Sequence, residues 1–198
     1  MKSFKSFLLI SIALVSINAT TSVGYIYNIS KDYTVTIKGT SNLHDWTETV
    51  GTVSGNGTVN WNSDKSFNLD AMSISMTVRS IKSTEGSVMN NNTYKALKAD
   101  ADPEITLKLN NPVKSIHPIS NGTSILANVN LTIAGVTRTI NMPVNIYMQE
   151  QQKLIVEGSQ TINMTDYGIK PPTALFGALK TGNAITISFK TSFTTATN

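Results

Sequence analysis

Cysteine is absent from the 198 residues and histidine occurs only twice. The first absence excludes a disulfide framework, so stability has to come from core burial and a continuous hydrogen-bond ladder. With two histidines and no thiolate, no spacing in the chain offers the three or four ligands of a zinc site. Charged residues make up only 14 % of the chain, and the basic ones are scattered. Clustered Lys and Arg with interleaved aromatics, the footprint of a nucleic-acid surface, are missing. Aromatics reach only 7 %, too few for the two girdles of an outer-membrane barrel. No Walker, G-x-S-x-G or dinucleotide fingerprint occurs. Beyond residue 19 no apolar run is long enough to span a membrane.

What is present begins with a leader. Lys2 and Lys5 form a positive start, and Phe7 to Ile17 form an apolar stretch of 11 residues. A membrane helix needs about 20, so the pattern reads as a secretory signal peptide over residues 1–19 with cleavage after Ala19. The stretch ends without a cysteine, which rules out a lipid-anchored lipoprotein. The expected location is the periplasm or the exterior. Residues 20–198 are then one domain, with enough chain for a sizeable core. Setting Lys2 and Lys5 aside lowers the net charge from +4 to +2.

The remainder alternates apolar and polar residues between Gly, Asn, Asp and Pro punctuation. Tyr33, Val35 and Ile37 mark a first strand. Trp46 to Trp61 reads as one long second strand, bent or bulged by Gly51, Gly55 and Gly57. In the third, Phe67, Leu69 and Ala71 share one phase, while Met72, Ile74, Met76 and Val78 take the other. A period of two cannot change phase without an extra residue, so a bulge near Ala71–Met72 is predicted. Ser83 to Asp100 loses the alternation and holds one short helix, best supported over Asn92–Lys98. Strand four runs from Glu104 through Leu109 to Val113. Strands five (Ile125–Ile133) and six (Val136–Met148) form the strongest hairpin, turning at Ala134-Gly135. Strand seven covers Lys153–Met164, a loop holds Pro171 and Pro172, and strand eight carries Ile185, Ile187, Phe189 and Phe193. The fold class is therefore all-β: eight antiparallel strands that must close or split into two layers, with a helix between strands three and four.

The search for catalytic groups yields little. His44 and Asp45 are neighbours, but adjacent side chains in an extended segment point apart. His44 reads as a structural hydrogen-bonding residue and His117 as exposed. Asp100, Asp102 and Glu104 read as a helix-to-strand loop rather than a cation site. Tyr167, Pro171 and Pro172 read as a rigid surface loop, with gating of a cavity mouth as the other option. The chain is read as a non-enzyme. The apolar face is richer in content: Met72, Met76, Met142 and Met148 fall in phase with Ile, Val and Leu, and Met suits a pliable wall or an irregular core alike. Burying ten methylenes is worth roughly 8 kcal/mol. Before binding costs this corresponds to a Kd of about 1 μM, so an apolar tunnel needs no polar motif to bind.

Four segments in order resemble the YceI-like family of exported bacterial proteins. They are GTSNLHDWTETVGTVSG, with Ser41, His44, Trp46 and Gly51; MNNNTYKALKADADPEITLKL, Met89 to Leu109; LTIAGVTRTINMPV, Leu131 to Val144; and DYGIKPPTALFGALKTGNAITISF, Asp166 to Phe189. The LHDW and GIKPPT wording is similar to versions in Bacteroidetes-type bacteria. The resemblance implies a lipocalin-like eight-stranded barrel holding a polyisoprenoid, isoprenoid quinone or similar long-chain lipid. It implies no catalytic motif, no metal and no cofactor beyond such a bound lipid. The inward-phase positions that would line the pocket are Met72, Ile74, Met76, Val78, Leu131, Ile133, Met142, Val144, Ile146 and Phe189. The alternative is a non-catalytic structural or interaction module with a filled barrel, using an exposed His44–Trp46 loop. Oligomeric state stays open, a dimer among the options.

Overall fold

The computed structural model describes residues 24–119, 122–149 and 153–195. The leader expected over residues 1–19 lies outside these. In chain order the strands are β1 (Tyr25–Ser41), β2 (Trp46–Val50), β3 (Val53–Trp61), β4 (Phe67–Thr77) and β5 (Ile81–Ser83). Helix α1 (Ser87–Ala96) follows, then β6 (Glu104–Leu109), β7 (Val113–Ile116), β8 (Thr123–Ile133), β9 (Val136–Gln149), β10 (Lys153–Asn163), β11 (Thr173–Ala174) and β12 (Leu179–Thr195). All pairings are antiparallel, in the order β12-β10-β9-β8-β6-β4-β3-β1, and β1 closes the ring on β12. Eight long strands in a closed ring leave no free edge and a lumen about one small ligand wide.

The expected long second strand is two strands. Both pair with β1, β2 across Thr36–Gly39 and β3 across Tyr25–Asn28. The break falls at Gly51-Thr52, where the Gly51 N–H donates to the Ser80 carbonyl at 3.0 Å and the Thr52 N–H to Ser80 Oγ at 2.9 Å. Those bonds hold the break, beyond which β2 runs along β1 and takes β5 as its other neighbour. Gly55 and Gly57 do not bend anything and stay inside β3.

The bulge expected near Ala71–Met72 is present one residue earlier. Thr58 pairs with Ala71 and Val59 with Leu69, which leaves Asp70 as the extra residue. The inward set passes from Phe67 and Leu69 to Met72 there. At the β8–β9 turn, Ala134 and Gly135 both adopt positive φ, 50° and 79°, and Ile133 pairs with Val136. This is the twist-matched two-residue hairpin.

Val113 does not continue β6. It belongs to β7, which pairs with the start of β4 instead. The Pro171–Gly182 loop is also more ordered than expected: β11 pairs with the first residues of β12, which starts at Leu179. Helix α1 begins at Ser87, five residues before the sequence-favoured Asn92, and ends at Ala96. Its N-cap is Gly86, with no side-chain cap, so local propensity does not define this start. Side-chain ties define it instead. Asn90 Oδ1 accepts the Ser83 N–H at 2.8 Å, Thr93 reaches β2, and the Tyr94 hydroxyl lies within donating distance of the Ile81 carbonyl at 2.8 Å and the Arg79 carbonyl at 3.0 Å, its one hydrogen serving either.

Candidate functional site

Two groups of buried side chains fill opposite halves of the barrel. One end is solid. Tyr27, Val59, Phe67, Leu154 and Phe193 are essentially inaccessible there, and the rings of Trp61 and Phe67 meet at 5.3 Å. Register explains the convergence: the start of β1, the end of β12 and the start of β10 lie side by side, with Ile29 opposite Phe193 and Phe193 opposite Leu154. This plug is the floor. At the other end, Met89, Asn92, Thr93 and Ala96 of α1 and Leu97 just after it cover the lumen, together with Met164, Tyr167 and Ile169 from the segment after β10.

Between floor and roof lies a cavity of about 210 Å³. It exceeds the roughly 150 Å³ of an engineered apolar cavity that admits benzene. Its walls explain an oddity of the burial pattern. Ile74, Met76, Leu107, Ile185, Ile187 and Phe189 sit in inward phase yet are only half-buried. All six border the cavity, so the surface they keep faces the lumen. On β8 the bordering residues run from Ile125 to Ile133. Eight residue steps make roughly 26 Å of strand. A tilt of about 40° projects this onto roughly 20 Å of barrel axis, so the space is long and narrow.

Nine of the ten inward positions named from the sequence border the cavity: Met72, Ile74, Met76, Leu131, Ile133, Met142, Val144, Ile146 and Phe189. Val78 does not. The phase of β4 ends at Thr77, and Val78 opens a 3-10 turn that buries it in the packed core at 1 % exposure. Alternation cannot register a strand that ends one residue early.

The polar wall was missed. Glu48 lies on β2 between Trp46 and Val50, in inward phase, and is 2 % exposed. Burial pushes its carboxyl above the usual range. The Thr93 hydroxyl, donating to Oε1 at 2.6 Å, pulls the other way, and the charge of Glu85 adds to the rise. The signal was in the sequence: in Trp46-Thr47-Glu48-Thr49-Val50, Glu occupies an apolar slot. Gln160 likewise replaces an apolar residue between Val156 and Ile162 on β10 and borders the cavity. Tyr167 is also buried in the wall, and its hydroxyl is raised chiefly by desolvation.

The remaining motifs are surface features. His44 is exposed, and its Nδ1 lies 2.8 Å from the Asp45 carbonyl, not the carboxylate, and 3.6 Å from Glu85. His117 is exposed. Trp46, expected in an exposed loop, is buried at 8 % exposure, so the loop offers His44 and Leu43 but not the indole. Asp100 pairs with Arg79. Among the described residues no three His, Cys, Asp or Glu side chains are placed to hold a metal ion. Of the loop residues, Tyr167 and Pro172 border the cavity and Pro171 does not. No described helix is long and apolar enough to cross a membrane.

Comparison with known proteins agrees with this architecture. The YceI-like domain profile matches residues 19–193. Among solved structures, a polyisoprenoid binding domain from Saccharophagus degradans, implicated in plant cell wall breakdown, superposes with a TM-score of 0.67 at 12 % identity, covering 87 % of this chain and 99 % of that one. BcnA of Burkholderia cenocepacia gives 0.55 at 16 % identity, with coverage of 81 % and 95 %. A Campylobacter jejuni YCEI protein gives 0.50 at 16 %, covering 97 % of each. At these identities the likeness establishes the shared barrel. No curated protein sequence matches significantly.

Proposed function

The chain belongs to the YceI-like family, and from that premise and the shape of its lumen we propose that it is an exported binding protein that holds an apolar long-chain ligand inside the barrel. The observation that carries the reading is the cavity itself. It is long, narrow and walled by Met, Ile, Leu, Val and Phe, with inward side chains that keep accessible surface. A filled barrel would bury those side chains completely. The volume and the roughly 20 Å length suit an extended chain better than a compact ring system.

A polyisoprenoid or isoprenoid quinone is the favoured class, supported by the Saccharophagus relative, which is described as polyisoprenoid-binding. Methionines at 72, 76, 89 and 142 border the cavity and give it a wall that adapts to branched or unsaturated chains. Catalysis is not part of the reading. Export rests on the character of residues 1–19 and places the ligand outside the cytoplasm.

The test is organic extraction of the purified protein followed by mass spectrometry. A long-chain lipid at near-equimolar amount is expected. Repeated recovery of empty protein that also leaves apolar fluorescent probes unbound would sink the reading.

A further inference from the structure

The cavity wall is not uniform along the barrel axis. Below the middle it is hydrocarbon except for Thr191, whose hydroxyl is already bonded to the Val156 carbonyl at 3.2 Å. Toward the roof it carries Glu48, Gln160 and Tyr167, with the smaller polar side chains of Asn92, Thr93, Thr173 and Thr181. Strand pairing relates two of these across the barrel. Glu48 pairs with Ile37 on β1, Ile37 with Ile187 on β12, and Ile187 with Gln160 on β10. Three strand steps in a ring of eight lead nearly to the far wall, so Glu48 and Gln160 border the cavity from opposite sides, offset along the axis by the tilt of the strands.

These groups are underused. Among the described residues Glu48 accepts one hydrogen bond, from Thr93 to Oε1, and Oε2 has none. Gln160 Nε2 donates to the Thr161 carbonyl, leaving its amide oxygen unengaged. The Tyr167 hydroxyl is buried and has no partner among the described residues. A buried polar atom without a partner is costly, and native structures keep few of them. No Lys or Arg borders the cavity among the described residues.

We infer that Glu48, Gln160 and Tyr167 form a receptor for the head of an amphiphile, an uncharged head that both donates and accepts hydrogen bonds, such as an alcohol or primary amide. Its tail runs down to the aromatic floor. The hydroxyl of Tyr167 supplies a donor, and Glu48 Oε2 and the Gln160 amide oxygen supply acceptors. An anionic head finds no cation here and meets a carboxylate instead. An ammonium would bury a second charge in a hydrocarbon wall with one carboxylate to answer it. This inference rests on the cavity being a ligand site.

Displacement of a bound apolar fluorescent probe by ligands of equal tail length tests it: a hydrocarbon and its alcohol, primary amide, amine and phosphate. The alcohol and amide are expected to displace the probe about three- to tenfold better than the hydrocarbon, the worth of one or two net hydrogen bonds. In Tyr167→Phe, which loses an orphan hydroxyl and so is expected to fold as well as the parent, that ratio falls toward one. Gln160→Leu shrinks it independently. Equal binding of hydrocarbon and alcohol, or a preference for the phosphate or amine, overturns the head-group receptor while leaving the lipid-binding reading in place. A series in which no ligand displaces the probe removes both.

Discussion

The indole of Trp46 rests on the backbone of Gly39, its antiparallel partner across the β1–β2 pair. A Cβ at Gly39 would lie 2.2 Å from Trp46 Cζ2, and the indole N–H is fixed by the Thr40 carbonyl at 3.1 Å. Glycine is required here because the ring occupies the space a side chain would need. Gly39→Ala is expected to lower stability by about 1–3 kcal/mol, the cost of overpacking a rigid contact. Denaturant unfolding measures it, and an unchanged midpoint would show that the ring can move away.

Tyr33 bridges the break in the long strand. Its hydroxyl donates to the Gly51 carbonyl at 2.9 Å and accepts the Val53 N–H at 3.3 Å. The two backbone groups on either side of the break therefore find a partner in one side chain. Tyr33→Phe is expected to cost about 1–3 kcal/mol, because it strands an acceptor and a donor together. Faster amide exchange at Val53, read by NMR or mass spectrometry, would distinguish this from a general loosening.

Glu48 gives stability an unusual pH dependence. Its folded pKa lies above the unfolded value, chiefly through desolvation. Folding therefore favours the protonated form. That contribution is complete below the unfolded pKa, at about 4, and is lost as pH rises through the raised folded value. Asp70 runs in the opposite sense. Its carboxyl is held down by Lys114 and Asn60, so its contribution is present above the ordinary range and lost as pH falls through the lowered value. Glu48→Gln is expected to raise stability by about 1–2 kcal/mol above neutral pH, an advantage that shrinks on acidification. Thermal melts across pH measure it, and a constant difference would contradict the assignment.

How far the chain could be read in advance depended on which force set each element. Strands β8 and β9 were legible because strict alternation, from Ile125 to Ile133 and from Ile140 to Ile146, coincides with one buried face. The bulge at Asp70 was legible because a phase change admits no other solution. Helix α1 was placed late, since Asn90, Thr93 and Tyr94 hold it through contacts that local propensity cannot foresee. Gly55 was misread as a bend. A Cβ there would lie 2.4 Å from the Ser73 carbonyl, so the glycine permits close approach of β4 to a strand that continues through it. Glu48 and Gln160 carry no catalytic motif, and only their polarity in an otherwise apolar phase marks them.

Ala127 is a small residue in the cavity wall, opposite Met142 on β9. Ala127→Phe is expected to fill lumen rather than displace core. Lipid recovered from the purified variant should fall severalfold, while its melting temperature holds or rises. A folded variant with undiminished lipid would mean that the ligand sits elsewhere. Collapse of the fold would mean that Ala127 packs against wall with no room to spare.

The pairing of β1 with β12 joins Tyr27 to Thr195, residues at opposite ends of the described chain. Every other seam of the barrel joins strands closer together in the sequence, whereas this one joins the first strand to the last. Loop-closure entropy must be met across nearly the entire sequence before the last ladder contributes, which makes closure a slow, late step. Until it occurs, the apolar lumen is an open trough with two exposed edges. The same interval that exposes the chain to aggregation also gives a long lipid a lateral way in, one that a finished barrel with a solid floor and a helix across its roof no longer provides.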